Sequence, residues 1–373
     1  MFRIDRRLFA NFDWVLLLLL LLICGMAYFS LYSATYPPKP WGMPLYLKQC
    51  YLLLIGFAGF LFLISFDYQE LLSWNYPMYG LIIILLVVAF YMDKSAGGAQ
   101  RWINLGFMKL QPSEPAKLML VITLASYYSR NEILDGYSLK DIGIPILLTI
   151  VPFVLIMLQP DLGTALMLGV IFVSMTVFVK LRLSTYAILS CMAAIVGAFG
   201  WIRVLKPYQK QRIETFFNPE TDPMGHGYQI LQSKIAVGSG EMFGKGYMKG
   251  TQGHLHFLPE RHTDFAFSVW GEEWGFVGSV IFLAIYFFML LWGLNVAISA
   301  RDRFGMLLAY GIVMLVFWQA VINLMMILGF LPVVGIPLPL FSYGGSSLLT
   351  TLFGMGILMN VRMRRFQTSS AKE

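Results

Sequence analysis

Charge is scarce in this 373-residue chain: Asp, Glu, Lys and Arg together make up 13% of it, about half the share in an average soluble domain. That shortfall excludes an ordinary cytosolic enzyme and a disordered chain. Cysteine is nearly missing. Cys24, Cys50 and Cys191 each fall inside an apolar run, without CxxC or metal-ligand spacing, which excludes a disulfide-stapled secreted module and leaves them as packing residues. No convincing small-residue cleavage site follows the first apolar run, so that run reads as a retained signal anchor. No strong internal repeat is present. What the chain does have is apolar residues, 58% of the total, and a mean hydropathy of +0.69. These are the marks of a polytopic membrane protein.

Apolar runs of roughly 17 to 25 residues cross a bilayer core as helices. They fall at 14–33, 49–66, 76–92, 114–128, 142–158, 164–179, 184–205, 274–298, 304–328 and 346–361. The expected fold is all-α: an integral membrane protein with ten transmembrane helices. It forms a single membrane domain over 1–373, with one large loop, 206–273, between the seventh and eighth spans. An even count puts both termini on one side. Arg3, Arg6, Arg7, Arg362, Arg364 and Arg365 mark that side, and its short loops add Arg130, Lys140, Lys180, Arg182, Arg301 and Arg303. The positive-inside rule makes it cytoplasmic and the large loop extracytoplasmic. The 67–75 loop, with Asp67 and Glu70, runs against the trend, and Lys39, Lys48, Lys94, Arg101 and Lys109 lie opposite. The net charge of +7 follows from this bias and does not point to nucleic acid.

The large loop holds all four histidines. Tyr228, Leu231 and Ile235 recur in it at helical spacing, which predicts a short helix lying on the membrane surface. Gly238, Gly240, Gly244, Gly246 and Gly250 follow as turns and close backbone approaches.

Four segments carry candidate chemistry. Leu258-Pro-Glu-Arg-His-Thr-Asp-Phe265 packs Glu260, Arg261, His262 and Asp264 against the eighth span. An acid there is as readily a helix cap as a catalyst, and Glu260, His262 and Asp264 match no standard metal-ligand spacing. Gln111-Pro-Ser-Glu-Pro-Ala-Lys117 opens the fourth span, with Ser113 as the candidate N-cap. Glu114 and Lys117 share a helix face, either as an interfacial ion pair or as an acid and a base facing a polar cavity. Upstream of them, Arg101 and Trp102 sit in an outer loop, where a tryptophan also suits the aromatic belt. In Gln159-Pro-Asp-Leu-Gly-Thr164, Asp161 reads by default as the cap of the sixth span. Gly335-Ile-Pro-Leu-Pro-Leu-Phe-Ser-Tyr-Gly-Gly-Ser-Ser347 has no charge, and reads as a re-entrant cavity lining or as an interfacial loop. Asn323, in the ninth span, is adequately explained by interhelical hydrogen bonding. All four segments fall on the outer face. Together they imply a polar cavity open to lipid, for an amphipathic ligand whose anionic head would meet Arg101, Lys117, Arg212 and Arg261.

These motifs resemble the SEDS family (shape, elongation, division and sporulation) of polytopic peptidoglycan polymerases. The resemblance spans nearly the whole chain and rests on Gly98-Ala-Gln-Arg-Trp102, Gln111-Pro-Ser-Glu114, Gln159-Pro-Asp-Leu-Gly163, Gly227-Tyr-Gln-Ile-Leu-Gln-Ser-Lys-Ile-Ala236, Leu258-Pro-Glu-Arg-His-Thr-Asp264 and Phe341-Ser-Tyr-Gly-Gly-Ser346, in that order. Arg261 and the Leu331–Pro339 stretch make it more similar to the elongation member than to the division member. Trp270 and Trp274 stand where smaller or aliphatic residues are expected of relatives.

The resemblance implies polymerisation of lipid II into β-1,4-linked glycan strands, with inversion at the anomeric carbon and release of undecaprenyl pyrophosphate. It implies that Asp264 is the essential acid. It implies a substrate site drawn from Arg101, Trp102, Glu114, Lys117, Asp161, Arg212, Lys234, Arg261, His262, Ser342 and Tyr343. It further implies a Mg2+ or Mn2+ requirement with unidentified ligands, and a class B penicillin-binding protein, a transpeptidase, as partner at spans eight and nine. The expected location is the bacterial cytoplasmic (inner) membrane. Composition alone fits a lipid II flippase, without bond chemistry, equally well. A non-catalytic scaffold is the third reading, one in which changes at Asp264 spare activity.

Overall fold

The computed structural model describes residues 11–37, 42–92, 101–104, 106, 109–204, 206–218, 225–254 and 257–366. Arg3, Arg6, Arg7, Lys39, Lys94, His256 and the Gly98–Gln100 portion of the first motif lie outside the described residues. A helix stands on each of the ten predicted segments: α1 (Trp14–Thr35), α2 (Leu45–Ser65), α3 (Glu70–Met92), α4 (Ser113–Arg130), α5 (Gly143–Leu158), α6 (Leu162–Phe178), α7 (Leu183–Phe199), α11 (Ala266–Ile298), α12 (Arg303–Ile327) and α13 (Gly345–Met363). Three further helices, α8 (Pro207–Phe217), α9 (His226–Ser239) and the single turn α10 (Thr251–His254), lie between α7 and α11. Helices α1, α2, α3, α11 and α12 are long and apolar enough to cross a membrane, and α5, α6 and α7 are shorter apolar helices.

Polarity is inverted relative to a soluble bundle. Helix α4 is the least apolar of the ten segments, yet it is largely enclosed, burying Ser113, Glu114, Lys117, Thr123 and Ser126. Its neighbours are α12, α3 and α6. Two of its hydroxyls find partners inside the bundle: Thr123 donates to the Met119 carbonyl at 2.8 Å, and Tyr128 shares a 2.8 Å bond with Thr176. The outer helices do the reverse, with Leu54, Phe62, Leu81, Ile84 and Leu147 exposed. In a hydrocarbon solvent apolar side chains can face outward, while polar groups need partners inside. Small residues bring backbones together: a Cβ on Gly356 of α13 would lie 3.0 Å from the Phe60 Cα of α2.

Several boundaries differ from the sequence reading. The third helix starts at Glu70, within the expected 67–75 loop, and the second at Leu45. The helix of the eighth span starts at Ala266, well before 274, and breaks at Gly275 (φ 64°, ψ −160°). The freed backbone groups are taken up by the glycine-rich segment: Phe276 N–H donates to Glu241 O at 2.8 Å, Val277 N–H to Met242 O at 3.0 Å and Lys245 N–H to Glu272 O at 3.0 Å. That cross-linking makes a second, antiparallel layer on α11. The seventh helix ends at Phe199 and runs into a π-helical turn at Gly200–Val204.

The predicted short loop helix is α9. Its Leu231 and Ile235 are exposed, while Ser233, on another face, bonds Ser268 of α11 and the Ile327 carbonyl, both at 2.9 Å. Residues 331–344 form no regular helix, and their polar backbone is satisfied by protein. Asn323 donates to Ile336 O at 2.8 Å, Tyr286 to Pro339 O at 3.3 Å, and Tyr343 N–H to His262 O at 2.9 Å. Protein groups thus bond part of this irregular backbone, as a cavity lining requires.

Candidate active site

The four motif segments meet at one end of the bundle around a cavity of about 210 Å³. A two-stranded hairpin, with Ile103 opposite Leu110, leads Trp102 and Gln111 to its rim. The first turn of α4 contributes Glu114, and α6 contributes Thr164. The segment before α11 supplies Glu260, Thr263 and Asp264, and the irregular run before α13 supplies Gly335, Ile336, Pro337 and Tyr343, with Ser346 and Ser347 behind.

Asp264 faces this space without capping α11. The N-cap position is Phe265, and no side chain caps that helix end. Asn323 of α12 fixes the surrounding backbone, donating from one amide nitrogen to the Asp264 carbonyl and the Ile336 carbonyl, each at 2.8 Å. One buried amide thus ties the acid's loop to the opposite wall. Burial pushes the Asp264 carboxyl up to about 6; the Glu260 and Asp161 carboxylates act in the same direction, and Arg212 opposes them.

Asp161 is the cap it was expected to be, accepting Thr164 N–H at 3.2 Å, and it also accepts the Gln111 amide at 3.1 Å. Ser113 is not a cap: Pro112 holds that position, and Ser113 is the first residue of α4. Glu114 and Lys117 form a buried pair at 2.8 Å, with side chains 6% and 2% exposed. Glu114 reaches the cavity, and Lys117 lies one turn deeper.

The cations expected to form a wall stand off the cavity in this structure. Among the described residues, the charged lining is Glu114, Glu260 and Asp264. Arg101 is committed to the α5–α6 turn, where its Nε donates to Gln159 O at 3.0 Å and its guanidinium also meets Pro160 O. Free carbonyls at a helix C-terminus attract such a group. Arg212, brought by α8, donates to Val333 O at 3.2 Å, two residues from Gly335. Arg261 and His262 are half-buried beside the cavity without lining it. Ser342 closes a turn by accepting Leu338 N–H at 3.0 Å, and Lys234 lies over Gly329 at the end of α12. Thr263, Gln111, Thr164 and Gly335 were missed as site residues, and Glu260 was weighed only as a metal ligand. Each lies inside a segment already singled out, so segment membership was their only signal.

No group of three or more His, Cys, Asp or Glu side chains is placed to hold a metal among the described residues. A Mg2+ shared with substrate phosphates needs only one or two carboxylates. Asp264 and Glu260, on one cavity, meet that smaller requirement.

The model of the FtsW, RodA and SpoVE family of cell cycle proteins matches residues 12–367. The chain belongs to that family. It is 41% identical over 301 residues, 80% of each chain, to the peptidoglycan glycosyltransferase MrdB of Escherichia coli strain K12. It is 37% identical over 360 residues to the probable peptidoglycan glycosyltransferase FtsW of Trichlorobacter lovleyi, covering 94% of this chain and 93% of the relative. Among solved structures it is similar to a chain from a study of polymerization and crosslinking by a peptidoglycan synthase complex. The TM-score is 0.82 and the identity 34%, with 96% of this chain and 99% of that chain covered. Proteins named MrdB and FtsW are thus both among the relatives.

Proposed function

We propose that this protein is a multi-pass membrane peptidoglycan glycosyltransferase that joins lipid II into β-1,4-linked glycan strands and releases undecaprenyl pyrophosphate. The relatives' glycosyltransferase activity supports the class. The observation that carries the assignment to this cavity is Asp264: a half-buried carboxylate that caps no helix and faces the cavity, on a loop whose backbone Asn323 ties to the opposite wall.

The acceptor sugar's 4-hydroxyl attacks C1 of the donor, and an Asp264 oxygen takes its proton. A carboxyl pushed up to about 6 is mostly ionised at neutral pH and more basic than a surface aspartate, which suits a general base. The C1–O bond to pyrophosphate breaks as the new bond forms, inverting the anomeric centre. The leaving group is a poor match for an acidic lining, so a cation must offset both charges. Arg212 is close enough to act on Asp264. Asp264 and Glu260 would hold a divalent ion, which would supply the remaining charge stabilisation. The Glu114–Lys117 pair shapes the floor, and Trp102 offers an aromatic face to sugar or lipid.

Ten crossings, with both termini cytoplasmic in the bacterial inner membrane, complete the reading. The elongation role rests on Arg261 and the Leu331–Pro339 stretch. The transpeptidase partner is supported by the synthase-complex relative. Its contact belongs on α11, whose Phe276, Val280, Ile281, Phe287 and Phe288 are exposed, rather than on the largely buried α12. The decisive test is gel-resolved strand synthesis from purified lipid II. Asp264→Asn, inserted and folded normally, is expected to lose at least about a hundredfold of the rate. Wild-type synthesis by that variant, or lipid movement without pyrophosphate release by the native protein, overturns the assignment.

A further inference from the structure

A second cavity, of about 310 Å³, lies at the opposite end of the molecule and takes no part in the glycosyl-transfer site. It is bounded by the start of α1 (Asp13, Trp14), Trp292 of α11 and the end of α13 (Arg362, Arg365). Its floor is a built polar lattice. Asp13 accepts Leu16 N–H at 3.1 Å, Trp292 Nε1–H at 2.8 Å and Arg362 Nε–H at 3.1 Å, and Arg362 also donates to Ser299 at 3.0 Å. Asp13 therefore has both oxygens engaged, and its charge is offset by Arg362. Arg365 adds a second positive charge on the same cavity, so among the described residues the lining carries a net charge of +1. Its guanidinium lies 4.3 Å from the centroid of the Phe366 ring. Trp14 is 69% exposed at the mouth.

The position is as informative as the composition. Helix α13 starts at the glycosyl-transfer cavity and ends here, and its 19 residues span about 28 Å, close to a bilayer core. The second cavity thus sits at the opposite membrane boundary. A guanidinium beside exposed tryptophan at that depth has the chemistry to seat a phosphodiester head while its acyl chains pass along apolar helix faces. We propose that this cavity binds the headgroup phosphate of an anionic phospholipid. The lattice of Asp13, Arg362 and Trp292 forms the floor, and Arg365 and Trp14 form the recognition edge.

The test uses the full chain in detergent and measures retained phosphatidylglycerol against phosphatidylcholine by native mass spectrometry. Arg365→Gln leaves the Asp13–Arg362 lattice intact and is expected to weaken phosphatidylglycerol retention roughly fivefold, the effect of one interfacial charge. Trp14→Leu is expected to reduce it as well. Arg130→Gln, which removes a charge from the end of α4 far from the cavity, is expected to change nothing. Equal losses with Arg130→Gln and Arg365→Gln would show diffuse attraction only and overturn the proposal. Arg365-dependent binding of inorganic phosphate without any preference between the two lipids would overturn the lipid assignment. Full retention by both Arg365→Gln and Trp14→Leu would overturn the site itself.

Discussion

At Asp264 the physics favours two properties at once: burial that makes the carboxylate a stronger base, and an approach left open on one side. Its proton comes off near pH 6 rather than near 4. A base works only when ionised, so strand synthesis should be low below pH 6, half-maximal near it and flat above until another group intervenes. An initial-rate profile between pH 5 and 8 checks this, and unchanged rates at pH 5 would remove Asp264 from the base role. The Glu114–Lys117 pair makes a different prediction. Glu114→Gln leaves an ammonium buried without its counter-charge, which costs about 3–5 kcal/mol. Replacing both groups, Glu114→Gln with Lys117→Met, removes the stranded charge and should recover most of the loss. Thermal midpoints of the purified variants compare the two, and a double variant no better than the single would show that the charge is not the cost. The pairing itself was legible, because a spacing of three puts both residues on one helix face. The cap at Asp161 was legible for the same local reason. The fate of the cations was not. Whether Arg101 meets a phosphate or a carbonyl depends on where a distant turn ends, and nothing local to residue 101 encodes that.

Secondary elements follow the same division between local and distant information. Length and apolarity located every membrane-length helix, and Pro112 and Asp161 marked two helix starts within a residue or so. The long run before Trp274 defeated that approach. Ala266–Gly271 is continuous with a membrane helix by composition, and only tertiary structure reveals that the helix breaks at Gly275 and is repaired by residues 240–246. The break requires glycine on two counts. Its φ of 64° is in the left-handed region, and a Cβ would come within 2.3 Å of Gly244 N and 2.7 Å of Gly240 O. Both obstacles are backbone atoms that cannot rotate away. Gly275→Ala should therefore cost about 3 kcal/mol or more and reduce the yield of monodisperse protein. Gly197→Ala, with no atom within 4 Å of the added methyl, should leave yield and thermal midpoint near native. Comparable behaviour of the two variants would mean that the layer over α11 is not rigid.

For the whole molecule, the strongest constraint is that its described ends meet. Asp13, which opens α1, is paired with Arg362 near the end of α13, so an even number of crossings separates them. The transfer cavity and the basic cavity lie at opposite ends of α13, and the membrane normal therefore runs between them. This arrangement predicts which surfaces an impermeant thiol reagent can reach. Cys24 is buried, but Cys50 is partly accessible and Cys191 exposed, so a cysteine-free background is needed first. On that background, Phe243→Cys places a thiol at a residue that is 81% exposed in the layer over α11, and Phe366→Cys places one at a 67% exposed position just beyond α13. In intact spheroplasts an impermeant maleimide should label the first and not the second. After lysis both should react. Labelling of Phe366→Cys in intact spheroplasts would place the chain's ends outside, and with them the basic cavity. Labelling of both positions, or of neither, before lysis would break the assumption that the two cavities face opposite sides. With Asp264 as the proposed base, the outcome also fixes the compartment in which the new strand emerges.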